Sequence, residues 1–286
     1  MHILGIILAL TALICWGIGD FLIQRTSRDY GIWTSTFCIT VLGAIVLFPF
    51  AQQDFPVLFQ TKNALFLLGV AVVTCIGGLL VFESLKQGKI AAVEPVLSFE
   101  LPLTVLLGVV VLGEELLPLQ MILIIFVFGG ILLLGYTGRL QSKHFLEKGI
   151  LIALLATIMM ACVNFTTGLA SRAVGPIATI WFVHSFVGIV CIIRLFVTRS
   201  WRHLVKDISL HPIESFFVAV LDNGAWLAYA AAVIIIPISL TVAITESYII
   251  LAILLGVIIN KERLLRHQWV GVIVTLAAIL VLSYIS

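Results

Sequence analysis

The chain is written twice. Residues 106–136 align with residues 254–284 at an offset of 148, and 13 of 31 positions are identical. Leucine matched to leucine carries little weight in an apolar chain. The weight falls on Gly108/Gly256, Glu114/Glu262, Gln120/Gln268 and Tyr136/Tyr284. Near the start of each half, Ser27-Arg28-Asp29-Tyr30-Gly31 meets Ser171-Arg172-Ala173-Val174-Gly175 at an offset of 144. The four-residue difference fits a longer connection inside the second half. The duplication predicts two units, residues 1–138 and 149–286.

What each unit must be follows from its apolar content. Hydrophobic residues make up 62% of the chain, charged residues 10%, and the mean hydropathy is +1.24. A water-soluble fold of 286 residues could not hide that much apolar surface. Membrane β-barrel strands alternate apolar and polar residues, whereas the apolar runs here are continuous over about twenty residues, the length at which a helix crosses hydrocarbon. The predicted class is an all-α integral membrane protein. Ten transmembrane helices are expected, at 3–23, 31–50, 63–83, 90–112, 119–137, 149–170, 176–197, 213–235, 238–259 and 268–286. Five spans per unit is an odd number, so the two five-helix repeats insert inverted. Inverted repeats place a substrate site at their interface near mid-membrane. The first span lacks a basic flank and a small-residue cleavage site, and reads as a retained helix.

Lysine and arginine partition sharply. The odd-numbered connections hold Arg25, Arg28, Lys86, Lys89, Arg139, Lys143, Lys148, Arg194, Arg199, Arg202, Lys206, Lys261, Arg263 and Arg266, against Lys62 and Arg172 on the other side, or 14 to 2. Basic loops stay in the cytoplasm, which predicts a multi-pass protein of the cytoplasmic membrane with both termini outside. A net charge of +2 without a basic cluster gives no reason for a nucleic-acid partner. The expected partners are the lipid bilayer and a small-molecule substrate, with a monomer and a homodimer both open. The five cysteines lie inside spans without metal-site or redox-pair spacing and read as buried apolar thiols, so neither metal nor cofactor is expected.

At these residues the chain resembles the EamA-type branch of the drug/metabolite transporter superfamily. The resemblance rests on Cys15-Trp16-Gly17 with Asp20-Phe21 in the first span, Leu112-Gly113-Glu114 closing the fourth and Pro118-Leu119-Gln120 opening the fifth. Asn260-Lys261-Glu262-Arg263 and Gln268-Trp269-Val270-Gly271 take the same places in the second half. It covers the whole chain as two consecutive units and implies a ten-helix secondary transporter of small organic metabolites, often outward. The chain departs from the pattern in three places. Relatives often carry basic residues after the second helix and keep their termini inside, where this chain has only Lys62. The first half reads Glu100-Leu101-Pro102 where many relatives set acid and proline side by side. Tyr248 takes the matching acidic position in the second half, with Glu246 two residues earlier.

An ionised carboxylate at mid-bilayer costs at least about 2.5–3.5 kcal/mol on insertion scales, so such residues face partners or a wet cavity. Asp222, Trp226 and Tyr229 share one helical stripe that could clasp a polar or cationic metabolite; the alternative is a helix–helix hydrogen bond with two packing aromatics. Glu100 is the deeper of two acids in the fourth span and the preferred cavity residue. Glu94, about 120° round a continuous helix, is a cavity residue or an interfacial partner of Lys89. Glu246 lies in the mate of that span. Acids in both mates suit a proton or cation relay, and Glu246 and Glu100 are the candidates for proton coupling. His184 is a substrate contact or a hydrogen-bonded core residue. Asp20 contacts substrate or pairs with Arg25, and Asn164 is its repeat mate. Glu83 reads as the partner of Lys86, and Glu114 and Glu262 as ties between helix ends. Gly17, Gly19, Gly77, Gly78, Gly129 and Gly130 allow close helix approach.

The resulting expectation is a secondary transporter of a small metabolite, such as an amino acid or nucleobase, working by alternating access with proton-coupled export. No Walker-type loop supplies ATP energy. The alternative is an integral membrane enzyme acting on a lipid or small substrate. It lacks a histidine–acid pair at metal-binding spacing, so an enzyme is not expected.

Overall fold

The computed structural model describes residues 2–88, 90–135, 148–251, 254–255 and 265–285. These are helical, with no strand among them. The helices are α1 (His2–Asp29), α2 (Ile32–Ala51), α3 (Phe55–Leu58), α4 (Thr61–Gln87), α5 (Ile90–Leu97), α6 (Glu100–Leu112), α7 (Pro118–Gly135), α8 (Lys148–Val174), α9 (Pro176–Val197), α10 (Trp201–Leu210), α11 (Pro212–Ile235), α12 (Ile238–Thr245) and α13 (Arg266–Ile285). Among the described residues eight helices are long and apolar enough to cross a membrane, and the shorter apolar stretches Pro118–Leu134 and Ile238–Leu251 stand at the fifth and ninth expected spans. Their outward faces are greasy: Val110, Ile125 and Leu280 are 70%, 65% and 72% exposed, a surface that only lipid solvates well. The chain is a multi-pass membrane protein.

Two expected spans are not continuous. The fourth is interrupted at Ser98-Phe99, between α5 and α6, and the ninth at Glu246-Ser247, after α12. At the offset of 148 these are the same two positions of the repeat. Pro102 explains the first, because its ring would clash with the Ser98 carbonyl four residues back in an unbroken helix. Restarting at Glu100 puts the proline in a first turn, where it is tolerated. In the second, the Ser247 hydroxyl donates to the Ala243 carbonyl (3.1 Å), a local bond that competes with the helical ladder. The breaks also overturn the continuous-helix geometry assumed for Glu94 and Glu100.

Helices pair across the halves: α1 along α11, α4 along α8, α2 along α9, α7 along α13 and α6 along α12. In repeat terms the first pair is the mate of the second, α2 with α9 and α7 with α13 each join a helix to its own mate, and α6 and α12 belong to mate spans. Gly31 and Gly175 open α2 and α9 with the same backbone, φ 90° and ψ 157° against φ 93° and ψ 151°. That region is essentially closed to residues with a Cβ, which accounts for a glycine at both places. Gln120 and Gln268 likewise repeat one task, their Oε1 atoms accepting from the Leu117 and Leu265 amides (2.9 and 2.8 Å) at the starts of α7 and α13. Arg28 and Arg172 each donate to carbonyls closing a helix: Arg28 to Gly88 (2.6 Å) after α4, and Arg172 to Val233 (2.9 Å) in α11. Cations at helix C-termini complement the exposed carbonyls.

Contacts define two ends of the bundle. At one, Arg25 pairs with Glu214 (3.2 Å) and Tyr30 bonds Ser215 (3.2 Å); the amphipathic α10 lies there, with Leu204 its single buried residue and Trp201 against Phe37. Residues 201–210 lie in the connection between the seventh and eighth expected spans, and Trp201, Leu204, Val205 and Ile208 give them the period of a helix. This end carries most of the described basic residues. At the other end, Glu114 closes the bundle: its carboxylate accepts from the Ile238 amide (2.8 Å), the Ser239 amide (3.0 Å) and the Ser239 hydroxyl (2.7 Å), and it meets Arg172 (3.3 Å). An acid at these amides satisfies donors that the start of α12 cannot pair internally. Glu114 therefore ties helix ends, as expected. Tyr136, Gly256, Glu262, Lys89, Arg139, Lys143, Lys261 and Arg263 lie outside the described residues.

The small residues divide. A Cβ on Gly130 would stand 3.0 Å from the Gly271 carbonyl and 3.1 Å from the Thr275 amide of α13, and one on Gly17 would stand 2.8 Å from Leu251; Gly78 and Gly129 face open space. Ala in place of Gly gains about 0.8–1 kcal/mol of helix propensity at either glycine of the α7 pair, but overpacking costs about 1–3 kcal/mol. Gly130→Ala is expected to lower the melting temperature in detergent by several degrees while Gly129→Ala leaves it equal or higher, as thermal unfolding followed by fluorescence will show. Glu114→Ala is expected to speed amide exchange at Ile238 and Ser239 about tenfold or more, because bonds to a charged acceptor are lost, and to leave the Tyr30 region unchanged in hydrogen-exchange mass spectrometry.

Candidate functional site

A cavity of about 110 Å³ lies at the centre of the bundle. It is lined by Trp16 and Asp20 of α1, Thr36 and Thr40 of α2, Thr74, Gly78 and Phe82 among the residues of α4, Glu100 opening α6, Met160 and Asn164 of α8, His184 of α9, Asp222 and Trp226 of α11, and Glu246 and Tyr248 at the second break. Its wall reaches Ile23, Thr36 and Phe82, toward the basic end. The opposite end is sealed by the Glu114 bonds. The aromatic group Phe48, Phe55, Phe59 and Trp181 joins that seal, with Phe55 and Trp181 centroids 4.9 Å apart.

The breaks explain the chemistry of the wall. Interrupting both helices at mid-bundle brings Glu100 and Glu246 side by side. Asn164 Nδ2 donates to Glu100 Oε1 (3.3 Å), while Glu246 Oε2 has no hydrogen-bond partner. With Asp20 and Asp222 the wall carries four carboxyl groups, exposed by 8%, 6%, 7% and 2% for Asp20, Glu100, Asp222 and Glu246. No lysine or arginine lines the cavity among the described residues. The charge of such a wall is balanced by bound protons or by a cation in the cavity.

Aromatic rings flank the acids. Trp16 packs edge-on against Trp226 (5.1 Å between centroids), and Tyr229 and Tyr248 lie 5.8 and 6.4 Å from Trp16. His184 is oriented by a relay. Asn223 Nδ2 donates to the Ile39 and Ala219 carbonyls (2.9 and 2.8 Å), which leaves its Oδ1 toward His184 Nδ1 (2.9 Å). Nδ1 therefore carries the donating hydrogen, and in the neutral ring Nε2 is an acceptor. Gly43 makes room for this relay, since a Cβ there would overlap both Asn223 Oδ1 and His184 Nδ1.

Of the residues singled out from sequence, Asp20, Glu100, Asn164, His184, Asp222, Trp226 and Glu246 meet around one cavity. Tyr229 does not line it: fully buried, it donates its hydroxyl to the Asn164 carbonyl (2.9 Å) from behind the wall. Asp20 is not the partner of Arg25, which reaches Glu214 and Asp29 instead. Glu94 is not interfacial. It is fully buried and accepts from the Tyr248 hydroxyl (3.1 Å). Glu83 accepts from Gln87 near the end of α4. Sequence reasoning missed Trp16 and Tyr248 as wall residues. The signal for Trp16 was its place one turn before Asp20; Tyr248 stands two residues from Glu246 and reaches the cavity only because the helix breaks there. No group of three His, Cys, Asp or Glu side chains suited to a metal occurs among the described residues.

Known proteins are similar to this chain in sequence and in architecture. The EamA-like transporter family matches residues 3–136 and again residues 147–284. A relative from Archaeoglobus fulgidus, named an uncharacterized transporter, is 28% identical over 286 residues, which is 98% of either chain. A crystal structure of another protein superposes with a TM-score of 0.69 over 98% of this chain and 95% of its own; at 15% identity this likeness speaks for the fold alone. With both halves matched in full, the chain belongs to the EamA-like transporter family, within the drug/metabolite transporter superfamily.

Proposed function

We propose that this protein is a secondary transporter that carries a small organic metabolite across the cytoplasmic membrane by alternating access. The observation that carries this reading is the central cavity, built on two broken helices, leaning toward one end of the bundle while Glu114 seals the other. Broken helices at mid-membrane are where such carriers bind substrate. Residues 1–138 and 149–286 are its two five-helix units, inserted in opposite senses to give ten spans. Support comes from the pairing of mates, the coincident breaks and the Gly31/Gly175 and Arg28/Arg172 correspondences. Asp20, Glu100, Asn164, His184, Asp222 and Trp226 contact the substrate, and Tyr229 positions Asn164.

Glu246 and Glu100 carry the coupling proton. Two adjoining carboxyls in an apolar bundle cannot both stay ionised without a cation beside them, so release of one bound species favours uptake of the other. By this exchange, inward protons drive substrate outward. The basic end faces the cytoplasm, both termini lie outside, and the cavity is at its inward station.

Purified protein in liposomes with a trapped pH dye is expected to give a substrate-dependent pH change that Glu246→Gln and Glu100→Gln abolish, with folding checked by melting temperature. Uptake of labelled substrate without any pH change would remove the proton role and keep transport. For orientation, Lys62→Cys is expected to react with an impermeant maleimide on intact cells, and Arg202→Cys only after permeabilisation. The reverse pattern would invert the topology.

A further inference from the structure

We propose that the cavity selects a compact organic cation without a free carboxylate, a primary or quaternary amine, in preference to an amino acid or a neutral nucleobase. The proposal rests on the transport reading of the cavity and narrows its substrate class. Charge is the first ground. The wall presents Asp20, Glu100, Asp222 and Glu246 and no lysine or arginine among the described residues. The carboxylate of a zwitterion would enter that wall with no cationic side chain to receive it, at the cost of like-charge repulsion where water is scarce.

A second ground is independent of the charge. Glu246 lines this space, 2% exposed, and beyond its neighbour Glu100 no donor bonds its buried Oε2. A buried acceptor left unpaired is destabilising, and an N–H or the positive shell of an ammonium group from the occupant satisfies it. The neutral His184 ring, held through Nδ1 by Asn223, adds Nε2 as another acceptor. Acceptors on both sides call for a donor-rich occupant.

The aromatic residues supply the third. Trp16, Trp226 and Tyr248 stand among the acids, and ring faces attract cations most strongly where both are desolvated. Size sets the upper limit in this conformation. A cavity of about 150 Å³ admits benzene, and this one is about 110 Å³. A short alkylammonium fits that limit.

The test is calorimetric titration of the whole purified protein with three matched probes: butylammonium, 1-butanol and 4-aminobutanoate. They differ only in the charge of one end or an added carboxylate. Butylammonium is expected to bind at least about tenfold tighter than the other two, and Asp222→Asn or Glu246→Gln to weaken it about tenfold or more, as loss of a charge-assisted bond does. A Trp226→Leu variant with unchanged melting temperature is expected to weaken it as well. Equal or tighter binding of the alcohol or the amino acid overturns the proposal. So does absence of binding by butylammonium and tetramethylammonium alike. The liposome assay separates this from the transport reading: flux of another compound without amine binding sinks the cation class alone, and amine binding without flux of labelled amine sinks transport alone.

Discussion

Hydrocarbon offers no hydrogen bonds, and most of this architecture answers that constraint. A chain can interrupt a helix in mid-membrane only where protein surrounds the freed backbone groups. Both interruptions here are wrapped by other helices: Thr157 of α8 donates to the Val96 carbonyl (3.0 Å) beside the first, and Thr104 just beyond it donates to Ala161 (3.4 Å). Glu100 and Glu246 stand beside each other at these two interruptions. The cavity is the space that the broken helices leave and that α1, α2, α4, α8, α9 and α11 enclose.

The duplication survives mainly where a backbone problem has one good solution. Gly31 and Gly175 hold a conformation that other residues avoid. Gln120 and Gln268 accept the amide before a helix, and Arg28 and Arg172 meet carbonyls where a helix closes. Cavity positions have diverged instead. Glu100 has Tyr248 as its mate, and Asp20 has Asn164. The two units share a scaffold and divide the chemistry between them.

Much of this was legible in the residues. Continuous apolar runs gave away the membrane, and acids too costly to leave in lipid had to turn inward, which is why seven of the residues chosen from sequence surround one cavity. The failures share a cause, since each depended on how a helix deviates from an ideal rod. Glu94 and Glu100 were placed by the 100° step of an unbroken helix, and Pro102 invalidates that step. Tyr229 lies on the stripe of Asp222 and Trp226, but one further turn along carries it past the cavity to the Asn164 carbonyl. Tyr248 enters the wall through a bend that Ser247 allows and that no periodicity announces. Arg25 was nearer Asp20 in sequence than Glu214, and only the packing of α1 along α11 decides between them.

The Glu114 carboxylate has a kinetic consequence. One side chain from the first half holds two amides and a hydroxyl of the second half and an arginine besides, so these bonds cannot loosen one at a time without leaving a buried charge half-solvated. Parting this end is a threshold event rather than a gradual widening. Under the transport reading proposed above, a barrier of that kind suppresses leak, because no partly parted state persists long enough for ions to slip through beside the cargo. On that reading the protein counts its cargo one stroke at a time, as a turnstile does.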